Sequence, residues 1–158
     1  MTLPSTTPGL QALLQHEQTL RDRALAAQGE AETVARLAHD QAAQMLAYRQ
    51  EYENRWAAQF NHGGTMQIVM CYRSFMQRLD QAVRLQQHAA AQADAQLQRA
   101  RSALQARERQ LASVRKLVER RGAELRQGLQ RREQRHNDEI AQRAHRQIGP
   151  RSGLMPLN

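Results

Sequence analysis

Residues 46–79 read LAYRQEYENRWAAQFNHGGTMQIVMCYRSFMQRL and hold every aromatic side chain of the 158-residue protein: Tyr48, Tyr52, Trp56, Phe60, Tyr72 and Phe75. At the centre stands Asn61-His62-Gly63-Gly64, the only strong turn signal between two long polar-apolar segments. Asn and Gly tolerate positive φ, so such a cluster reverses a chain rather than continuing a helix. Tyr48, Tyr52, Trp56 and Phe60 each lie one helical turn past the last and form a single stripe that ends at the turn. Tyr72 and Phe75 follow one or two turns into the next segment. Folding back at Gly63-Gly64 brings the two sets together, which predicts a helical hairpin with an aromatic tip.

Outward from the tip, the apolar residues keep a step of three and four. In the first segment they run Leu10, Leu13, Glu17, Leu20, Ala24, Ala27, Ala31, Val34, Ala38, Gln41, Met45, Tyr48, Tyr52. In the second they run Ile68, Tyr72, Phe75, Leu79, Ala82, Gln86, Ala89, Ala93, Leu97, Ala100, Leu104, Arg107, Leu111, Val114, Val118, Arg121, Leu125. A heptad held this long implies a left-handed supercoil with a partner helix, and two consecutive steps of four around Ala89–Leu97 read as a stutter. The middle of the seam is alanine-rich, so the helices approach closely there while gaining little apolar burial.

The fold class expected is therefore all-α, with two long helices in an antiparallel coiled-coil hairpin and the second helix longer. Residues 1–7 read as a flexible N-terminus. Thr7-Pro8 suits an N-cap followed by proline at the first helical position. The first helix covers about 8–60, roughly 80 Å at 1.5 Å per residue, and the tip falls at about 60–65. Thr65 is the expected N-cap of the second helix, which meets no proline before Pro150 and continues to about Arg146. The hairpin thus spans 8–148, and residues 149–158 read as a flexible tail. Pairing Tyr52 with Ile68 would place Leu10 near position 110 and leave about 114–146 as an unpaired helical overhang. Its Gly122 and Gly128 each weaken a lone helix by about 1 kcal/mol relative to alanine, so the overhang calls for a partner.

Composition narrows the chemistry. The net charge is +8, the calculated pI about 11.1, and Lys116 is the only lysine. From Arg115 to Arg151 there are eleven basic and five acidic residues. This balance suits an acidic partner protein, nucleic acid or an anionic membrane surface, and a solvated arginine-rich helix face explains it equally well. A nucleic-acid binder would use the overhang, but no aromatics are interleaved with its arginines and no groove-reading motif is present. Cys71 is the only cysteine and sits in a mostly apolar run, as a small packing residue. The N-terminus lacks a basic start and an apolar stretch, so no signal peptide is expected. The apolar run Ile68–Tyr72 is far short of the roughly 20 residues that span a bilayer.

The six histidines have no metal-ligand spacing, and no HExxH, phosphate loop or nucleophile elbow occurs. A two-helix coil also offers no water-excluding pocket in which side-chain pKa values could be tuned. The expectation is a protein that is not an enzyme, with no cofactor, no metal and no small-molecule substrate. The tip rings have two readings. They staple the hairpin shut, or part of the cluster is an exposed anchor for another protein, a role in which Tyr and Trp are enriched.

The run Leu46-Ala47-Tyr48-Arg49-Gln50-Glu51-Tyr52, with Tyr72-Arg73-Ser74-Phe75-Met76-Gln77-Arg78-Leu79-Asp80-Gln81-Ala82 after the turn, resembles the FliJ family of flagellar export proteins. The stretches Leu117–Arg121 and Arg132–Arg143 are similar to that family's ending. The likeness covers about residues 10–146. It implies a cytoplasmic stalk protein of the flagellar type III export apparatus, peripheral at the inner membrane through that apparatus and touching the membrane only indirectly. By the same resemblance the coil is similar to the central shaft of rotary ATPases. Its implied partners are the export ATPase hexamer, whose ring it would enter and activate, the cytoplasmic domain of the export gate, and export chaperones. The gate-contact surface carries over to Gln41, Met45, Tyr48, Tyr52, Phe75, Leu79, Ala82 and Gln86, with Met45 in place of a leucine and Gln86 in place of a histidine. Arg120, Arg121, Arg131, Arg132 and Arg135 mark the ATPase- or chaperone-facing overhang. The injectisome stalk counterpart shares this architecture and remains the alternative.

Overall fold

The computed structural model describes residues 8–147. Helix α1 spans Pro8–Phe60 and α2 spans Met66–Gln147, 53 and 82 residues, with no strand among the described residues. The fold is the expected one, two long helices that pair antiparallel, the second longer. The expected loose ends, 1–7 and 149–158, lie outside the described residues.

The reversal is built as the sequence implies. Gly63 takes a φ of +94°, the left-handed region that ends a helix. The His62 and Gly63 amides donate to the Gln59 and Phe60 carbonyls at 3.1 and 3.2 Å. His62 Nδ1 donates to the Ala58 carbonyl at 3.0 Å. These bonds satisfy carbonyls that the end of α1 would otherwise leave open. A methyl group on Gly64 would sit 3.2 Å from the Phe60 ring, so the ring packs on bare backbone. The Thr65 carbonyl then accepts the Val69 amide at 3.2 Å, the first turn of α2.

Packing divides the described residues into two units, Glu17–Leu111 and a second made of residues 8–16 with 112–147. Within Glu17–Leu111 the register is read from contacts across the helices. Tyr52 meets Phe75, Trp56 meets Tyr72, Arg49 meets Asp80, His39 meets Asp94 and Glu32 meets Arg101. Tyr52 therefore faces Phe75 rather than Ile68, which is exposed.

The seam differs from the expected one at every second position. Ala24, Ala31, Ala38, Met45 and Tyr52 lie on it as expected, but the alternate places belong to Gln28, Ala35, Ala42 and Arg49. Ala27, Val34, Gln41 and Tyr48, each one residue earlier, are exposed. On α2 the buried residues are Met76, Leu79, Val83, Ala90, Ala93, Leu97, Leu104 and Leu111. Ala90 replaces the expected Ala89, so the steps through Gln86, Ala90, Ala93, Leu97, Ala100 and Leu104 alternate four and three. The stutter read from the sequence is absent. The cause is size complementarity. Here α2 supplies the large side chains, and α1 opposes them with alanines. Ala35, 4% exposed, packs on Ala93 and Leu97 beside Ala31 and Ala38. Turning Val34, 57% exposed, into that space would push the helices apart.

Glu17 is the polar exception. It is 7% exposed, and its Oε2 has no hydrogen-bond partner. A buried acceptor without a partner destabilises a fold by about 1–3 kcal/mol.

In the other unit, Val114 is buried, while Leu10, Leu14, Leu117 and Val118 are half-buried. Leu10 lines an open groove of ≈ 650 Å³ with Gly9, Leu117, Arg121, Glu124 and Leu125, further along α2 than position 110. Uniform exposure begins at Glu124 and continues to Gln147, while Val114, Leu117 and Val118 are covered.

Two expectations test this packing. Val34→Ala leaves urea stability within about 0.5 kcal/mol, whereas Ala35→Leu lowers it by about 1–3 kcal/mol through overpacking. The reverse order would restore the seam read from sequence. Glu17→Leu raises the unfolding free energy by about 1–3 kcal/mol, and a lowered midpoint in urea would show that the carboxylate has a stabilising partner.

Candidate protein-interaction site

At about 100° per residue, each helix in the Glu17–Leu111 unit presents one edge on either side of its seam. On one edge lie Gln41 and Tyr48 of α1 with Phe75 and Ala82 of α2. On the other lie Leu46 and Glu53 of α1 with Asp80 and Arg84 of α2.

The second edge is charged. Arg49 reaches out from the seam, its stem covering apolar surface and its guanidinium bonding Asp80 and also Glu53, the latter at 3.0 Å. These carboxylates, Asp80 first, hold the guanidinium above its ordinary range. His39 Nε2 donates to both Asp94 oxygens, at 2.9 and 2.8 Å, and Arg101 approaches Glu32 at 3.9 Å. All three interhelical ion pairs identified among the described residues lie on this edge. Each is exposed enough to add little stability, but together they fix register.

The first edge carries rings. Tyr48 and Tyr52 have centroids 5.0 Å apart, and Tyr52 and Phe75 4.8 Å apart. Closer to the turn, Trp56, Phe60 and Tyr72 form a separate triangle, with centroid distances of 5.4, 5.1 and 5.5 Å. Such pairs add about 0.5–1.5 kcal/mol each beyond their burial. Tyr52, Trp56, Phe60, Tyr72 and Phe75 are half-buried, whereas Tyr48 is 45% exposed. The phenol of Tyr48 is held above its ordinary value, first by its hydrogen bond to Tyr52 and then by desolvation.

The eight residues assigned to the gate surface are thus brought into one region, in graded exposure. Leu79 is buried, Met45, Tyr52, Phe75, Ala82 and Gln86 are half-buried, and Gln41 and Tyr48 are exposed. A set that the sequence placed wholly on the seam is split by the seam's shift, with half of it flanking the packed interface. The exposed Val34, Leu37 and Leu85 lie toward the same edge and escaped the sequence reading, Val34 because an apolar residue at heptad spacing was assigned to the core, Leu37 and Leu85 because they fall off the expected seam. The Arg49–Asp80 pair escaped it too, since an arginine on a seam carries no periodic signal.

The overhang arginines divide. Arg120 and Arg121 both approach Glu124, at 3.8 and 3.0 Å. Arg131, Arg132 and Arg135 are exposed, with no ion pair among the described residues. Leu125, Leu129 and Ile140 are exposed on the same stretch. Among the described residues no group of His, Cys, Asp or Glu could hold a metal ion, and no helix is long and apolar enough to cross a membrane.

A family model described as Flagellar FliJ protein matches residues 7–149. Neither the curated proteins nor the solved structures contain a match. The ring geometry is open to a direct check. In Tyr52→Phe the Tyr48 phenol loses its hydroxyl neighbour and titrates closer to the ordinary phenol value, read from its ring carbon in a pH series by NMR. An unchanged titration would place the perturbing group elsewhere.

Proposed function

The chain belongs to the flagellar FliJ protein family, which makes it a component of the flagellar type III export apparatus, and we propose that it acts there as a coiled-coil stalk joining the export ATPase ring to the export gate. The family is that of a non-enzymatic component, in keeping with a chain whose side chains pair for packing and register.

In this reading, the ring-bearing edge of the Glu17–Leu111 unit receives the cytoplasmic domain of the export gate. The single observation that supports it is the asymmetry of the two edges. One is closed by Arg49–Asp80, His39–Asp94 and Glu32–Arg101, whereas the other is free of such pairs and presents Gln41, Tyr48 and Ala82 beside the Tyr52–Phe75 contact. A partner that covers the second edge desolvates rings and amides instead of breaking ion pairs. That is the lower-cost surface to bury.

The exposed arginines of α2, Arg131, Arg132 and Arg135 with Arg120 and Arg121 behind them, are the surface for the ATPase ring. Arg131, Arg132 and Arg135 make no ion pair among the described residues, which suits an acidic collar on the partner. Export chaperones would compete for the exposed Leu125, Leu129 and Ile140 of the same stretch. The partner at the inner membrane is the gate, so in this reading the protein is held there through the export apparatus.

Pull-down and calorimetry with the purified gate domain test the assignment. Tyr48→Ala retains full helicity by circular dichroism yet weakens gate binding about fivefold or more, the effect of losing an interface anchor. Tyr52→Ala and Phe75→Ala weaken it further and also soften the ring contact. Unchanged gate affinity in all three variants would remove the ring edge from the gate interface. In the same preparation, Arg131→Gln/Arg132→Gln/Arg135→Gln lowers stimulation of the export ATPase without changing gate affinity.

A further inference from the structure

The tip of the hairpin has a property that the stalk reading does not use. Between Glu53 and Asp80 the sequence contains no carboxylate at all, while Arg55, Arg73 and Arg78 fall inside that span. No other stretch of the sequence runs as long without an acidic residue. The same span carries Met66, at 76% the most exposed large apolar side chain of the described residues, and Met70 at 66%. Ile68 and Cys71 beside them are exposed as well. Met66 and Met70 stand one helical turn apart on the outer face of α2, immediately after the turn, with Arg73 continuing the stripe. Arg55 is paired with Glu51, which lies just outside the acid-free span, and Arg78 donates to Ser74 Oγ at 3.1 Å. Neither Arg73 nor Arg78 has a carboxylate partner among the described residues.

We propose that this tip docks on an anionic lipid surface, with Met66 and Met70 entering the headgroup boundary and Arg73 and Arg78 pairing with lipid phosphates. Three physical points favour this occupant. Basic side chains beside a negatively charged leaflet are attracted, while a carboxylate there would be repelled, so an acid-free span is the complement of that surface. Unbranched methionines adapt to irregular apolar surroundings and lose little when they leave water without a shaped pocket to fill. Half-buried Trp56 packs on Tyr72, two residues past Met70, so both rings lie at the depth where amphipathic rings settle at a membrane interface. The contact is peripheral. A few side chains enter, no helix spans, and binding is reversible. This docking is independent of the gate assignment, which uses residues further from the turn.

Trp56 is the only tryptophan, so the tip carries its own reporter. The experiment uses the full chain with phosphatidylcholine vesicles containing about one-third phosphatidylglycerol, and with pure phosphatidylcholine vesicles, at low and high salt. The expected result is co-sedimentation with the anionic vesicles only, weakened by salt. Trp56 emission shifts to the blue and is quenched by brominated acyl chains. Met66→Gln/Met70→Gln keeps its helicity, since both side chains are exposed, and loses about tenfold in vesicle affinity together with the emission shift. Arg73→Gln and Arg78→Gln each lose about fivefold. The basic stretch of α2 provides the control: Arg131→Gln/Arg132→Gln/Arg135→Gln at saturating lipid keeps the Trp56 shift. Sedimentation without any change in Trp56 emission would mean that the arginine-rich stretch alone holds the vesicle, and overturns the proposal. So would affinity that is unchanged in Met66→Gln/Met70→Gln, or absence of binding to anionic vesicles, the outcome expected if the tip instead serves an acidic protein surface.

Discussion

Gly63 turns at a φ of +94°, and the bonds around it close the end of α1 so that α2 can start at Met66. That reversal determines which residues of the two helices meet. With Phe60 packed against the bare backbone of Gly64, the rings beyond it have little freedom in whom they face. Trp56 falls to Tyr72, Tyr52 to Phe75, Arg49 to Asp80. A side chain at either glycine would alter the turn and shift every one of these partners. For helices rich in Ala, Gln and Arg this constraint matters more than usual, because the alanine seam has few large side chains with which to reject a slipped register.

From that register the division of labour along the seam follows. Large residues on α2 meet small ones on α1, so the cluster of Ala35, Ala93 and Leu97 is tight although it buries little apolar area. Close approach also decides the edges. When Ala35 and Ala42 occupy the seam, Val34, Gln41 and Tyr48 rotate to one side, and the ion-pairing residues gather on the other. Packing and interaction surface are therefore two consequences of one rotation of α1 about its axis.

Glu17 departs from this economy. A carboxylate on the seam with one oxygen unsatisfied adds no stability, yet it disfavours any slid arrangement that would bury it among larger apolar residues. In a coil with so many interchangeable alanines, a single polar position of this kind limits the number of competing alignments.

Much of this was legible in the residues alone. The all-α class, both helix spans to within a residue or two, the turn at Gly63-Gly64 and the family likeness all came from local signals: turn residues, the absence of proline, and a stripe of rings one turn apart. Those signals act through the backbone and through neighbours in sequence, so no partner helix is needed to read them. Other features belong to the tertiary structure. A heptad of alanines, glutamines and leucines is compatible with two adjacent tracks, and only the shape of the opposing helix chooses Ala35 over Val34 and Ala90 over Ala89. The same choice removes the stutter, exposes Tyr48 and puts Arg49 beside Asp80. Periodicity tells which residues share a face of a helix; the side chains on the other helix decide how far that face is turned.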